Sequence, residues 1–171
     1  ILTDGQKGVD GAEDYAKQLV EKFPQHYFLP NQFDNEYNLQ AHYETTAEEI
    51  WRDTQGRVTH FVAGIGTGGT LMGVSKRLRE YNPDIKMIAV EPENGTSIQG
   101  LKNLETQYVP AIWKRGLVDE IHKVNSKEAE EAARLLALQE GVFVGPSSGA
   151  IFHIARRKAL EIEKGVLVAM A

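Results

Sequence analysis

The sequence predicts an α/β fold, a three-layer arrangement in which helices cover both faces of a mostly parallel β-sheet. The first observation is that short apolar runs alternate with longer segments of helical period, which is typical of such folds. The second is that two turns rich in small residues, Gly66–Thr70 and Gly145–Gly149, each follow an apolar run directly. The third is an ordinary globular composition, 42% hydrophobic and 25% charged, in a chain of 171 residues that can bury one sizeable core.

In the first half of the chain, two helices are predicted between short extended segments. The first helix has its apolar residues on one face, and the second begins where Thr46 and Glu49 have the spacing of a capping box. In chain order, the predictions are a strand end at Ile1–Thr3, a helix over Gly11–Phe23, a strand at Tyr27–Leu29, a loop over Asn31–Asn38, a helix from Thr45 or Thr46 to Gln55, and a strand at His60–Ala63.

The second half continues this alternation around one long irregular segment, Pro92–Gly116. Such a length within a regular chain predicts a functional covering or an interface. Ser126 is predicted to cap one helix and Gly141 to end it. In chain order, the predictions are a helix over Leu71–Leu78, a strand at Lys86–Glu91, the irregular segment, a strand at Ile121–Val124, a helix between Ser126 and Gly141, a strand at Val142–Val144, a helix over Ala150–Lys164, and a strand at Val166–Met170.

Composition also narrows the classes of function. The net charge is −5 and the positive residues are dispersed, so no nucleic-acid surface is expected. The absence of cysteine excludes disulfides and thiolate metal sites and favours a cytoplasmic location. No two of the five histidines have the spacing of helical metal ligands, so no metal site is expected. No apolar run approaches the roughly 20 residues that span a bilayer.

The turn Gly66–Thr70 is predicted to cradle a phosphate group. It lies between a predicted strand and a predicted helix, so its backbone N–H groups collect at the positive end of that helix, where an anion binds well. Glycine permits positive φ angles and a close approach of the backbone to a ligand. Thr67 and Thr70 add hydroxyl donors to the same turn.

Two other interpretations fit the same glycines. Gly64–Gly69 matches the pattern G-x-G-x-x-G, and Glu91 follows at about the distance expected of a ribose-binding acid, so a nicotinamide-binding Rossmann domain is one alternative. The other alternative is a tight turn with a purely structural role.

The second turn, Pro146–Gly149, is predicted to lie at the same edge of the sheet as the first. The carboxyl ends of parallel strands meet at one edge, and ligands bind there. The Ser147 hydroxyl could hydrogen-bond a neutral pyridine nitrogen, whereas an acidic partner would keep that nitrogen protonated. The simpler interpretation, which the residues alone favour, is that Ser147 caps a helix.

Taken together and in order, these motifs resemble the cysteine synthase family. With cystathionine β-synthase, this family belongs to fold type II of the pyridoxal-phosphate enzymes, the tryptophan-synthase-β type. The segments that carry the family resemblance are Asn31–Asn35, Thr45-Thr46, Glu49–Trp51, Thr59–Thr70, Ala89–Pro92 and Glu140–Ala150. Those that resemble the cysteine synthase B (O-acetylserine sulfhydrylase B) branch are Ser97–Gly100, Tyr108–Ile112 and Leu117–Glu120.

The resemblance implies that pyridoxal 5′-phosphate is the cofactor. In this family a sulfur nucleophile replaces the β-substituent of an activated serine to give L-cysteine, and the complete enzyme is expected to be a homodimer. The residues implied are Gly66, Thr67, Gly68, Gly69 and Thr70 for the cofactor phosphate, Ser147 for the pyridine nitrogen, and Gln32 for the substrate carboxylate.

One part of the family pattern is missing. The Schiff-base lysine of the family lies in a serine-rich segment well upstream of the glycine turn, and Lys7, Lys17 and Lys22 have no such context. Residues 1–29 resemble the end of the small N-terminal domain, and residues 30–171 resemble most of the large cofactor-binding domain. The resemblance therefore implies a fragment without a catalytic lysine, which on its own forms no covalent link to the cofactor and is inactive.

The substrates stay open at this point. Either O-acetylserine or O-phosphoserine fits, because Lys102 and Lys114 are only weak candidates for a second phosphate site. Homocysteine in place of sulfide would give the cystathionine β-synthase reaction. From a different class, the chain could be a non-catalytic module that binds a phosphorylated ligand.

Overall fold

The structure is a computed structural model that describes residues 1–171, apart from the side chain of Gln6. Two compact units are present, Ile1–Gln32 and Phe33–Ala171. The first unit contains a short 3₁₀ helix, Gly5–Lys7, followed by helix α1, Gly8–Lys22, which confirms the first predicted helix. The predicted strands at its two ends, Ile1–Thr3 and Tyr27–Leu29, are wrong, because neither run pairs with another strand in the part of the chain that the structure describes.

The second unit is built on a four-stranded parallel sheet with the strand order β3-β2-β1-β4. The central strand β1 pairs with β2 on one side and with β4 on the other, so that Val62 lies between Ile88 and Ala169. This confirms the predicted parallel sheet. The strands are β1 Val58–Gly64, β2 Lys86–Pro92, β3 Glu120–Val124 and β4 Val166–Ala169.

Helices cover both faces of this sheet, as predicted. On one face, Phe61 and Ala63 of β1 pack with helices α2, α3 and α4, and on the other Val62 packs with α5 and α6. The side chains of β1 thus alternate between two cores, which makes the unit three layers thick. The helices are α2 Glu36–Glu44, α3 Thr46–Asp53, α4 Gly69–Tyr81, α5 Ser126–Glu140 and α6 Pro146–Glu161, with a 3₁₀ turn at Arg115–Leu117.

Helix α2 occupies part of the segment that was predicted to be a loop. Asn35 caps it by accepting a hydrogen bond from the N–H of Tyr37, and Leu39 is its one buried residue. The capping box predicted for Thr46 and Glu49 is wrong, because Thr45 is the N-cap of α3 and its side chain makes no capping bond to the helix. The Thr45 hydroxyl donates instead to the carbonyl of Ala41 at the end of α2.

The last two helices also begin at positions that differ from the predictions. Asn125, not Ser126, is the N-cap of α5, and it forms a reciprocal capping box with Glu128. Gly141 ends α5 with a φ of 68°, as predicted. Val142–Val144 is not a strand, since Phe143 is 93% exposed and this run has no described strand beside it. Helix α6 begins at Pro146 and takes in the residues predicted as a turn. Within residues 1–171, no helix is both long enough and apolar enough to cross a membrane.

Candidate functional site

The glycine-rich turn Gly66–Thr70 joins β1 to α4 at the carboxyl edge of the sheet. Gly68 is the N-cap of α4 with a φ of 86°, a left-handed conformation that glycine adopts without strain. The first N–H groups of a helix have no acceptor within it, and they lie at the positive end of its dipole. One of them, the N–H of Gly69, donates to Thr67 Oγ1 over 3.2 Å.

A loop that follows β2 forms the facing wall. The N–H of Lys102 donates to the carbonyl of Ile65 over 2.6 Å, which fastens the loop beside the glycine turn. Buried Asn103 holds the loop from within, because its Nδ2 donates to the Pro92 carbonyl at 2.8 Å. These contacts place Gly100 so close to Gly66 that a Cβ on Gly66 would lie 2.9 Å from the Gly100 carbonyl oxygen. The long irregular segment therefore lines a cavity, as a functional covering would.

The two predicted turns meet in one cavity of about 220 Å³. The side facing α4 is lined by Gly66, Thr67, Gly68 and Thr70, and the other by Gly100, Leu101, Ser147 and Ser148. Gly69 does not line it. Pockets that hold drug-sized ligands measure about 300–1,000 Å³, so this volume suits a small phosphate-bearing group better than a dinucleotide.

Ser147 is the second residue of α6, after the N-cap Gly145 and the first helical residue Pro146. The N-cap interpretation of Ser147 is therefore wrong, and its side chain makes no capping bond at this helix end. A Cβ on Gly100 would lie 3.5 Å from Ser147 Oγ, so the hydroxyl stands directly beside the facing wall of the cavity. This leaves the hydroxyl able to bond a ligand in the cavity.

Helix α2 supplies a second layer behind the glycine turn. Asn38 Nδ2 donates to Thr67 Oγ1 over 3.0 Å. The ring of His42 joins two hydroxyls, with Nε2 3.1 Å from Thr70 Oγ1 and Nδ1 2.9 Å from Thr46 Oγ1. Partial burial lowers the pKa of His42, which favours the neutral ring. The sequence prediction missed both side chains, although their spacing of four residues would place them on one face of a helix.

The other residues named from the sequence have different positions. Gln32 is exposed and is the last residue of the first unit, so its proposed contact with a substrate carboxylate stays a prediction. Glu91, the ribose-binding acid of the alternative interpretation, is buried, and its Oε2 accepts the N–H of Leu104 over 3.0 Å. That bond uses the carboxylate to hold the loop, which disfavours a nicotinamide site.

The lysines also lie outside the cavity. None of the described residues that line it is a lysine. Lys7, Lys17 and Lys22 are exposed, and Lys17 pairs with Glu13 at 2.6 Å along α1. Lys102 is buried, with its Nζ 4.6 Å from the centre of the Phe33 ring, and Lys114 is exposed.

The chemistry of this lining fits pyridoxal 5′-phosphate. The described lining contains hydroxyls and backbone amides but no acidic side chain, so a phosphate would meet hydrogen-bond donors and no Asp or Glu. Ser147 offers a neutral partner to a ring nitrogen at the other side of the same cavity. Among the described residues, no group of three or more His, Asp or Glu side chains could hold a metal ion.

Comparison with known proteins gives consistent matches over the whole chain. A family model described as "Pyridoxal-phosphate dependent enzyme" matches residues 1–171. The chain is 44% identical over 172 residues to a cysteine synthase of Aquifex aeolicus and 40% identical over 170 residues to cysteine synthase B of Escherichia coli. These alignments cover 98% and 99% of this chain but 53% and 55% of the relatives, so the chain spans about half their length.

A solved structure agrees with the sequence relatives. The crystal structure of a cysteine synthase from Entamoeba histolytica matches with a TM-score of 0.88 and 36% identity. The match covers 99% of this chain and 52% of the Entamoeba chain. At this identity and TM-score the two share a fold, which confirms the predicted fold type.

Proposed function

The chain belongs to the family of pyridoxal-phosphate dependent enzymes, and from that membership we propose that the protein is a cysteine synthase. The reaction is replacement of the β-substituent of an activated serine, O-acetylserine or O-phosphoserine, by sulfide, which gives L-cysteine and releases acetate or phosphate. The observation that carries the proposal is the single cavity in which the glycine turn and Ser147 meet. The relatives named cysteine synthase, at 40% and 44% identity, support it.

In this proposal, Gly66–Thr70 binds the cofactor phosphate. The free N–H groups at the start of α4 and the hydroxyls of Thr67 and Thr70 supply donors, and the helix dipole favours the negative charge. The turn carries no positive side chain, so the phosphate is neutralised only by partial charges and hydrogen bonds. Such binding is directional, and it fixes the orientation of the group attached to the phosphate.

Ser147 is proposed to bond the pyridine nitrogen. When bound, the cofactor supplies an electron sink for the carbanion that forms at the substrate Cα. A serine hydroxyl donates to that nitrogen without transferring a proton, whereas an aspartate would keep it protonated. Ser147 thus keeps the sink weak, which restrains side reactions and suits a replacement at Cβ.

The remaining parts of the proposal concern residues outside the cavity. Gln32 helps hold the substrate carboxylate through its amide donors. Residues 1–29 belong to a small domain and residues 30–171 to the large cofactor-binding domain. The complete enzyme is a cytoplasmic homodimer, and the lysine that bonds the cofactor covalently is not one of the lysines of this chain.

A pyridoxal-phosphate titration of this chain tests the proposal. We expect saturable binding that inorganic phosphate weakens by competition. After borohydride reduction and peptide mass mapping, no lysine should carry a stoichiometric adduct. NAD serves as the comparison ligand, and protection from proteolysis by NAD but not by pyridoxal phosphate would overturn the proposal. A stoichiometric adduct on one lysine would instead show that the catalytic residue lies within this chain.

A further inference from the structure

Two side chains of α2 contact the two threonine hydroxyls of the glycine turn. Asn38 and His42 lie four residues apart, on one face of the helix, and each reaches one hydroxyl. Asn38 bonds Thr67, and His42 bonds Thr70. The two threonine hydroxyls are predicted to bind phosphate. Their hydrogen bonds with Asn38 and His42 therefore decide whether each hydroxyl can donate its hydrogen to an anion.

The backbones of α2 and α4 approach closely enough to hold these contacts rigidly. A Cβ on Gly69 would overlap Oδ1 of Asn38, and a Cβ on Gly73 would overlap the carbonyl oxygen of Leu39. Gly69 and Gly73 are themselves four residues apart on α4, so they form the strip along which α2 packs. Asn38 and His42 therefore have little freedom to move away from the turn.

The hydrogen bonds at Thr67 fix the direction of its hydroxyl hydrogen. A hydroxyl oxygen has two acceptor sites and one hydrogen. Both acceptor sites of Thr67 are in use, one by Asn38 Nδ2 at 3.0 Å and one by the Gly69 N–H at 3.2 Å. The hydrogen is then free to donate into the cavity that Thr67 lines.

At Thr70 the direction of the hydroxyl hydrogen depends on the tautomer of His42. If Nδ1 accepts the hydrogen of Thr46, Nε2 carries a hydrogen and donates it to Thr70 Oγ1, which leaves the Thr70 hydrogen free for a ligand. In the other tautomer, Nε2 accepts from Thr70 and takes that hydrogen away from the cavity. An anion in the cavity needs donors, so it stabilises the Nε2–H tautomer.

We propose that Asn38 and His42 are positioning residues that hold the Thr67 and Thr70 oxygens as acceptors, so that both hydroxyl hydrogens point at a bound phosphate. This inference rests on the proposed function, because it assigns a second layer to the same phosphate site. It also makes one observable demand: phosphate binding selects the Nε2–H tautomer of His42.

The test compares two ligands that differ only in the phosphate, pyridoxine 5′-phosphate and pyridoxine. Neither has an aldehyde, so surface lysines do not react with them. The isosteric variant Asn38→Asp can only accept from Thr67, so it should weaken binding of pyridoxine 5′-phosphate about tenfold or more while leaving pyridoxine binding unchanged. His42→Ala should weaken it about fivefold, and His42→Gln, which retains an N–H donor, should restore most of that loss.

Gln40→Ala is the matched control, since Gln40 lies on the same helix but bonds Glu44 rather than the turn. It should leave both affinities unchanged. The tautomer is read on the unmodified chain by ¹⁵N NMR of labelled histidine, so this measurement does not depend on the folding of any variant. We expect the Nε2–H signature of His42 to become dominant when pyridoxine 5′-phosphate or inorganic phosphate binds.

The outcomes separate the inference from the function on which it rests. If the unmodified chain binds pyridoxine 5′-phosphate no better than pyridoxine, the proposed phosphate site is wrong. If it prefers the phosphate but Asn38→Asp and His42→Ala weaken both ligands equally or neither, the site stands and the positioning role is wrong. A His42 ring that stays in the Nδ1–H form with phosphate bound would also overturn the positioning role.

Discussion

The two turns that meet at the cavity are held by different kinds of contact. Polar side chains of α2 hold the first, since Asn38 and His42 bond the hydroxyls of Thr67 and Thr70. The start of α6 lacks such side-chain support at its N-cap. It is located by its backbone instead, because a Cβ on Gly149 would overlap the carbonyl oxygen of Ala129 and lie 2.8 Å from Ala133 Cβ.

This difference shows that some glycines of the two turns serve helix packing rather than lining the cavity. Gly69 is part of the predicted phosphate motif, yet it lies against Asn38 and does not line the cavity. Gly149 plays the same part between α5 and α6. Only Gly68 is required for its positive φ, and only Gly66 for its close approach to the facing wall. A positive φ, helix packing and close approach across the cavity are thus divided among neighbouring glycines.

The largest expected effect comes from filling two glycines at which helix backbones meet, Gly73 between α2 and α4 and Gly149 between α5 and α6. Gly73→Ala and Gly149→Ala each place a methyl group against backbone atoms that cannot turn aside, so each should lower the free energy of unfolding by about 3 kcal/mol. The midpoint of urea unfolding measures this. Gly116→Ala is the control, as no atom lies within 4 Å of the added Cβ. If the free energy of unfolding fell by less than about 1 kcal/mol, the helices could move apart to admit the methyl group. Close backbone packing would then not explain how α6 is positioned.

Removing both hydroxyls of the first turn should come next. The double variant Thr67→Val, Thr70→Val loses two donors to an anion, and pyridoxal 5′-phosphate should bind about 100-fold more weakly. The affinity for pyridoxal, which has no phosphate, should change little. Thr67→Ser with Thr70→Ser keeps both hydroxyls and should stay close to the unmodified chain. If the double valine variant lost the same affinity for both ligands, the threonine hydroxyls would contact the pyridine ring and not the phosphate.

A smaller effect is expected at the second turn. Ser147→Ala removes one neutral hydrogen bond, so pyridoxal 5′-phosphate and pyridoxal should both bind about fivefold more weakly. The ratio of the two affinities should not change, in contrast to the threonine variants. Ser126→Ala is a control at a serine that donates to the Ser97 carbonyl instead. A change in the ratio of the two affinities would mean that Ser147 contacts the phosphate. The two turns would then not bind different parts of the cofactor.

The smallest effect concerns pH, and part of it should arise at His42, behind the first turn; burial also lowers the pKa of His60, which adds to the same pH dependence. Burial lowers the pKa of His42, so the unfolded chain takes up a proton at a higher pH than the folded chain does. The contribution of the neutral His42 ring to the free energy of unfolding is therefore fully present above the ordinary histidine pKa of 6.5. It is lost as the pH falls through the lowered pKa of the folded chain. His42→Asn should make that decline shallower in urea unfolding measured at a series of pH values from 7 downward through 6.5, with the remaining slope due to other groups such as His60. An unchanged slope would show that His42 carries no proton-linked stability.

The parallel sheet and the meeting of the two turns followed from sequence patterns because those patterns are local. Strands β1, β2 and β4 each contain a short apolar run beside a helix of clear period, and a turn that follows a parallel strand must lie at its carboxyl edge. The sequence therefore predicted that the glycine turn and Ser147 lie at the same edge of the sheet, and the structure shows that both line one cavity there.

Helix α2 could not be predicted in this way because its stability comes from tertiary contacts. Its sequence, Glu36–Glu44, has a weak apolar period and several amide and aromatic side chains, and Leu39 is its only buried residue. It is held by close packing against Gly69 and Gly73 of α4, which a local pattern does not reveal. The second layer of the site, Asn38 and His42, was missed together with the helix that carries it.

The short apolar runs that are not strands show that tertiary contacts also decide where strands form. Tyr27–Leu29 and Val142–Val144 have the composition of strands, but a strand also needs a neighbour with free hydrogen-bonding groups. Asn125 was a different kind of miss, since the spacing Asn125 to Glu128 satisfies the capping-box rule as well as any in the chain. That signal was present in the sequence and was assigned one residue too late.

The strand order also means that one edge of β1 stays unpaired while much of the chain is still being synthesised. Beside the central strand, the N–H of Val166 donates to Thr59 Oγ1, and these residues are 107 positions apart. At about 5–20 residues per second, the ribosome needs roughly 5–20 s to make the intervening chain. Until then one edge of β1, with Phe61 and Val62 in it, has no strand to pair with. The nascent protein must keep that edge from other chains for many times longer than a helix takes to form.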